Sequence, residues 1–162
     1  MRKMEDKGKK GEREVVQTVF KMQQLGEDID IKKPTYTNEP DNGLDIELQC
    51  GHNIGEAWNA IICDANKIPV ISDKKIKVRI DVKNYNGVIS KPVAQKFVDD
   101  CKKNPQVAEH WLVGGERLTK GANDVMDNSE HVCRYYNQEA MNKVDNYYQN
   151  QLDNINLNDI DE

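Results

Sequence analysis

The sequence predicts an α/β domain in which helices flank a mixed central sheet. Two short stretches, 44–48 and 77–83, alternate apolar and polar residues, as half-buried strands do. An apolar stripe with helical spacing precedes them, and patterns typical of helix and strand alternate after them. With 162 residues and no internal repeat, the chain has the size of one domain with one core.

The first half of the chain is expected to contain one helix and three strands. A helix is predicted from about Lys9 to Gln24, because apolar residues return there to one face. That face is formed by Val15, Val16, Val19 and Phe20. Strands are predicted at 29–36, 44–48 and 77–83, whereas residues 50–75 carry no readable motif.

The second half is expected to alternate between helix and strand. A helix is predicted after the turn at 85–87, where Ser90 is a suitable N-cap and Pro92 occupies an early helical position. The remaining predicted elements are a strand at 110–113, a helix at 119–126, a strand at 132–135 and a helix at 137–152. We therefore expect a single domain over residues 1–144, followed by the end of the last helix and an acidic, disordered tail over 145–162.

The net charge of −5 is unevenly distributed along the chain. Residues 144–162 contain five acidic residues and no lysine or arginine, so the preceding residues sum to about zero. Basic residues cluster near the N-terminus and again at 74–83. The candidate contacts to a nucleic-acid backbone are Lys7, Lys9, Lys10 and Arg13.

The location of the protein is predicted from what its sequence lacks. No apolar run is long enough to cross a bilayer, and the N-terminus has no secretory signal pattern. We therefore expect an intracellular protein with no membrane partner, cytoplasmic or placed wherever its substrate lies. The four widely spaced cysteines are expected to be reduced thiols.

Acidic and basic side chains on the two alternating strands form the candidate catalytic group. Asp81 and Lys83 are two residues apart in a strand, so their side chains share one face. Asp45 would bring a second carboxylate beside Asp81 if the two strands pair. Two carboxylates suit Mg²⁺, and Lys83 could orient an attacking water or stabilise developing negative charge. Glu12 on the first helix is the candidate third acid.

These residues resemble a known nuclease pattern. Asp45 and the triplet Asp81-Val82-Lys83 resemble the PD-(D/E)xK signature of nucleases with the restriction-endonuclease-like fold. Residues 7–14, KGKKGERE, resemble the opening of archaeal Holliday-junction resolvases, in which a glutamate before an arginine joins the metal site. The matching residue of this chain is Glu12.

A second resemblance covers the downstream part of the chain. Residues 81–122 are similar to Mrr-type restriction endonucleases, in which a glutamine on the helix after the catalytic strand lies near the site; the matching residue is Gln95. Together the two resemblances span roughly residues 7–135. They imply a DNA endonuclease that uses Mg²⁺ or Mn²⁺ and cuts restriction-type or branched substrates. A homodimer is also implied, since two strands must be cut.

The chain departs from the nuclease pattern in two places. Asp45 follows Leu44 rather than a proline, and Pro40-Asp41 is the second-ranked match. The separation between Asp45 and Asp81 is longer than the usual hairpin, which implies an insertion at about 50–75.

Several of these residues also have simpler interpretations. Asp81 and Lys83 could form the solvated face of an edge strand, and Glu12 could be a first-turn acid that complements the helix dipole. The whole chain could be a catalytically inactive nucleic-acid-binding or protein-interaction module with the same fold. Cys50, His52 and Cys63 lack the paired spacing of a structural zinc site.

Overall fold

A computed structural model of the chain describes the backbone of residues 7–36, 44–83 and 87–160, and the side chains of residues 13–32, 46–83 and 87–157. In chain order the elements are α1 (Lys7–Gln24), β1 (Asp30–Tyr36), β2 (Leu44–Gly51), α2 (Ile54–Ile62), β3 (Lys75–Val82), β4 (Val88–Ile89), α3 (Lys91–Cys101), β5 (Glu109–Val113), β6 (Arg117–Leu118), α4 (Lys120–Asp127), β7 (Val132–Tyr136) and α5 (Gln138–Ile160).

The predicted mixed sheet flanked by helices is confirmed. Five strands lie in the order β1-β2-β3-β5-β7. The pairs β1/β2 and β2/β3 are antiparallel, whereas β3/β5 and β5/β7 are parallel. Because β3, β5 and β7 run in one direction, they end at the same side of the sheet, which we call the carboxyl edge. The connecting helices α3 and α4 therefore begin at this edge.

One face of the sheet carries the main apolar core. Ile46 and Leu48 of β2, with Ile80 of β3, are fully buried beneath α1, α2 and α5. Trp58 of α2 lies at the centre of this core, with its ring 5.0 Å from Trp111 between centroids. We refer to this surface of the sheet as the apolar face.

The opposite face is covered in part by α3 and α4. Phe97 of α3 and Met126 of α4 pack over Leu112 of β5 and form a second, smaller apolar cluster. We call this surface the charged face, because Arg79, Asp81 and other polar residues of β3 alternate with the core residues of the same strand.

Three features differ from the sequence prediction. Residues 50–75 contain a nine-residue helix, α2, that packs into the main core. A separate two-stranded parallel sheet, β4 and β6, was not predicted. The last helix continues to Ile160 rather than ending near Leu152. None of the helices in the described part of the chain is long and apolar enough to span a membrane.

Candidate active site

The acidic and basic residues of the predicted triplet are buried side by side at the end of β3, with Asp81 in the strand and Lys83 directly after it. Asp81 is 4% exposed and Lys83 is 7% exposed. The Lys83 ammonium lies 3.5 Å from Oδ1 of Asp81. Their alternating neighbours, Ile80 and Val82, are buried on the apolar face. Because β3 is the central strand and both charges are buried, the interpretation of a solvated edge strand is wrong.

The strand ladder places Asp45 opposite Asp81. The two residues are Cα partners in the antiparallel pair of β2 and β3, and the register continues without a shift from Leu44 to Gly51. Directly opposed residues are the closest neighbours that two strands offer. The side chain of Asp45 lies outside the described residues, as do all of Pro40 and Asp41.

Helix α1 approaches the carboxyl edge with its N-terminal half. The Glu14 carboxylate accepts a hydrogen bond from the Gln138 carboxamide at the start of α5. The backbone N–H of Gln138 donates to the carbonyl of Gly115, at 3.0 Å, just beyond β5. Glu12 stands two residues before Glu14 on this helix, and its side chain lies outside the described residues. Since α1 begins at Lys7 with no acid in its first turn, the interpretation of Glu12 as a first-turn acid is wrong.

A pair of glycines closes the site beside Lys83. Gly114 and Gly115 have φ values of 122° and 70°, a region that side chains disfavour. A Cβ on Gly114 would stand 1.8 Å from the carbonyl oxygen of Lys83. The backbone therefore approaches Lys83 as closely as only glycine permits. Sequence reasoning missed this contact, although the Gly-Gly pair after a predicted strand was its signal.

A second buried cation stands behind the pair. Arg79 is 4% exposed, and its guanidinium carbon lies 5.3 Å from the centre of the Phe97 ring. Its Nε donates to Nδ1 of His110 at 3.1 Å. Burial, followed by the charges of Arg79 and His131, lowers the pKa of His110 to about 4. His110 is therefore neutral at pH 7 and accepts the hydrogen bond. Sequence analysis assigned neither residue a role, because nothing local distinguishes a buried arginine from an exposed one.

The other predicted residues lie farther from this group. Gln95 is exposed on α3, where its carboxamide donates to Asp99 at 3.0 Å, so its role at the site stays a prediction. Arg13 is exposed on α1. The side chains of Lys7, Lys9 and Lys10 lie outside the described residues.

The described side chains contain no group of three or more His, Cys, Asp or Glu residues that could hold a metal ion. Two of the three predicted ligands, Asp45 and Glu12, are not among those side chains, so the predicted set stays a prediction. Cys50 and Cys63 are among them, and burial raises the pKa of the Cys50 thiol to about 12.

No protein-family model matches this sequence, and no curated protein matches it significantly. The resemblance to nucleases therefore stays a prediction from the sequence motifs.

Proposed function

We propose that this protein is a metal-dependent endonuclease that hydrolyses phosphodiester bonds in DNA. The observation that carries the proposal is the buried pair of Asp81 and Lys83 on the central strand, with Asp45 as the cross-strand partner of Asp81. The pair stands at the carboxyl edge, where α/β proteins with parallel strands commonly bind their ligands.

Burial of this pair is difficult to explain by stability alone. Each buried ion loses several kcal/mol of hydration, and well-packed apolar residues in place of a buried ion pair are often equally or more stable. A buried ion pair is for this reason a candidate for a functional role. A carboxylate and an ammonium held in fixed positions by β3 are suited to act on a charged substrate.

The predicted metal fits the donor set of the two strands. Asp45 and Asp81 would hold Mg²⁺ or Mn²⁺ with help from Glu12, since carboxylate oxygens are preferred ligands of these hard cations. When bound, the metal would lower the pKa of a coordinated water and neutralise charge on the scissile phosphate.

Besides the metal, the candidate site has a positive charge from a side chain, that of Lys83. Its ammonium lies 3.5 Å from Asp81, and its backbone N–H donates to the Val113 carbonyl at 2.8 Å, which extends the parallel ladder past the end of β3. The sheet thus holds the backbone of Lys83, and Asp81 lies beside its ammonium. In this position we propose that it orients the attacking water or stabilises negative charge as the phosphate reacts, a contribution typically worth about 10²–10³ in rate.

Cleavage assays test the proposal. Supercoiled, linear, single-stranded and four-way-junction DNA would be incubated with wild type, Asp81→Asn, Lys83→Ala and the control Lys77→Ala, each with Mg²⁺ or Mn²⁺. Lys77 lies on the same strand but is half-exposed and remote from the carboxyl edge. We expect Lys77→Ala to cleave like wild type. Lys83→Ala should lose about 10²–10³ of the rate, and Asp81→Asn at least as much.

Circular dichroism and urea unfolding of each variant would establish that lost cleavage is not lost folding. Cleavage by folded Asp81→Asn at the wild-type rate would contradict the proposed site. Binding of DNA by wild type with no cleavage of any form would instead support an inactive binding module. Cleavage of both strands at one position, with a dimer in sedimentation analysis, would support the proposed homodimer.

A further inference from the structure

Three exposed cations surround the starts of α3 and α4. Lys91 is the first residue of α3, Lys120 is the first residue of α4, and Arg117 lies on β6 between them. We call these three residues the basic edge surface. Glu116 is the one acidic residue in the segments 87–91 and 114–121, so the surface keeps a net positive charge. The three cations form no ion pair with other described side chains.

The small parallel sheet holds these residues together. Val88 of β4 is the Cα partner of Arg117 of β6, and the backbone N–H of Thr119 donates to Ile89 at 3.0 Å. The two helices therefore start side by side. The carbon chain of Lys91 lies over the first turn of α4, with three of its carbons 3.3–3.6 Å from where a Cβ on Gly121 would stand.

The basic edge surface is continuous with the candidate active site. Gly114 contacts the carbonyl of Lys83, and a Cβ on Gly115 would stand 3.0 Å from both the carbonyl of Gly87 and the Ile89 side chain. Glu116 N–H also donates to the Gly87 carbonyl, at 2.9 Å. The loop at 114–116 therefore contacts both Lys83 and the segment 87–89 that precedes α3.

The charges on α3 and α4 oppose the dipoles of both helices. A helix N-terminus carries a partial positive charge and is stabilised by acidic residues, yet both helices begin with lysine and have no acid in the first turn. Neither helix has a basic residue in its last turn. The acidic residues lie in the C-terminal halves and are Asp99, Asp100, Asp124 and Asp127.

The starts of α3 and α4 are capped differently. Thr119 caps α4 by accepting from the N–H of Ala122 at 3.1 Å, whereas Ser90, the N-cap of α3, makes no such side-chain hydrogen bond. Folding alone gives no reason for two adjacent helices to concentrate positive charge at one edge. An anionic partner bound there would be stabilised by the side-chain charges and by both dipoles.

We propose that the basic edge surface binds the phosphate backbone of duplex DNA and positions it across the site of Asp81 and Lys83. The choice of DNA as the partner rests on the proposed function. Three cations spread over two helices and a strand match an extended polyanion better than a single phosphate group. Binding of this kind releases counterions, so its strength falls steeply with salt.

The test compares two triple variants with the same change in charge. The first, Lys91→Gln/Arg117→Gln/Lys120→Gln, removes the basic edge surface. The control, Lys74→Gln/Lys102→Gln/Lys103→Gln, removes three exposed lysines from the opposite edge of the sheet, where β3 begins and α3 ends. Binding of a fluorescent DNA duplex would be measured by anisotropy over a salt series, in EDTA so that cleavage cannot contribute.

Each phosphate contact makes the slope of log K against log salt more negative by about 0.9. The slope of the first variant should therefore be shallower than that of wild type by about 2.7. The control should keep the wild-type slope. The first variant should also resist urea at least as well as wild type, because two cations leave helix N-termini. A wild-type slope in the first variant, equal losses in both variants, or no DNA binding by wild type would overturn this inference. If the first variant has a shallower slope but wild type cleaves no DNA, the basic edge surface would still be supported as a DNA-binding surface. Only the proposed endonuclease activity would then be contradicted.

Discussion

Around the end of β3, residues 78–83 are buried on both faces of the strand, but the two faces are chemically opposite. On the apolar face, Val78, Ile80 and Val82 are at most 1% exposed and join the main core. On the charged face, Arg79, Asp81 and Lys83 are at most 7% exposed. The apolar residues gain free energy from burial, at about 25 cal/mol per Å² of apolar surface, whereas buried charges lose hydration. The apolar face therefore explains why the chain folds, and the charged face requires another reason.

The helices that cover the two faces differ in the same way. Helix α2 contributes Trp58, which contacts Trp111 and Tyr136 at 5.0 and 5.8 Å between ring centroids. Helix α3 lays Phe97 over the Arg79 guanidinium, a contact that favours a cation. We infer that one face is selected for stability and the other for the chemistry that it holds.

The largest expected effect follows from making the charged face resemble the apolar one. If the proposed function is correct, the double variant Asp81→Val/Lys83→Met should reduce DNA cleavage by more than about 10³, because it removes both a proposed metal ligand and a charge at the candidate site. Its free energy of unfolding in urea should equal that of wild type or exceed it by about 1–4 kcal/mol.

The matched single variant should behave in the opposite way. Asp81→Ala breaks the buried ion pair by removing the carboxylate beside Lys83, a change that typically costs about 3–5 kcal/mol. If the double variant were destabilised as much as the single one, the pair would be a structural requirement and our distinction between the faces would fail.

A second prediction addresses the apolar face. Trp58→Ala should lower the free energy of unfolding by about 3–5 kcal/mol, since it leaves a large cavity at the centre of the main core. Cleavage per folded molecule, measured at low temperature with the folded fraction from near-ultraviolet circular dichroism, should stay within about twofold of wild type. A larger loss of cleavage in fully folded protein would show that α2 also shapes the site.

A third prediction concerns His110 behind the charged face. Its pKa is lowered from 6.5 to about 4, so the unfolded chain binds a proton before the folded chain does as pH falls. Neutral His110 therefore makes its full contribution to the stability of the folded state above about pH 6.5. As the pH falls from 6.5 to 4, the free energy of unfolding should decrease by about 3 kcal/mol at most. His110→Gln keeps an acceptor for Arg79 but cannot titrate. Urea unfolding of both proteins across this range should show a flatter profile for the variant; parallel profiles would contradict the assignment.

The strands that carry the candidate site could be predicted, because their alternation is local information. β3 was predicted from its apolar residues, and its observed bounds, Lys75–Val82, overlap the prediction closely. Burial of its charges could not be predicted, since alternating charge normally marks a solvated face. That burial depends on β5 pairing in parallel with β3 and on α3 covering both strands.

Helix α2 was missed although part of its signal is local. Its five buried residues, Ile54, Gly55, Ala57, Trp58 and Ile61, recur with helical spacing and Glu56 is exposed, but the helix has only nine residues and contains a glycine. Gly55 weakens its helix propensity, yet a Cβ there would stand 2.3 Å from Nε of Arg134 on β7. The glycine serves a contact between distant parts of the chain, which a local pattern cannot reveal.

The long connection between β2 and β3 affects how accurately the candidate site assembles. A hairpin fixes strand register through its tight turn, but here α2 and its flanking loops occupy that place. The register must therefore be set by the strands themselves, through the unbroken ladder of β2 and β3 and the burial of Ile46, Leu48 and Ile80 in the main core. A slip of one residue would turn every side chain of a strand to the other face, so the alignment of Asp45 with Asp81 depends on contacts between segments that are remote in sequence.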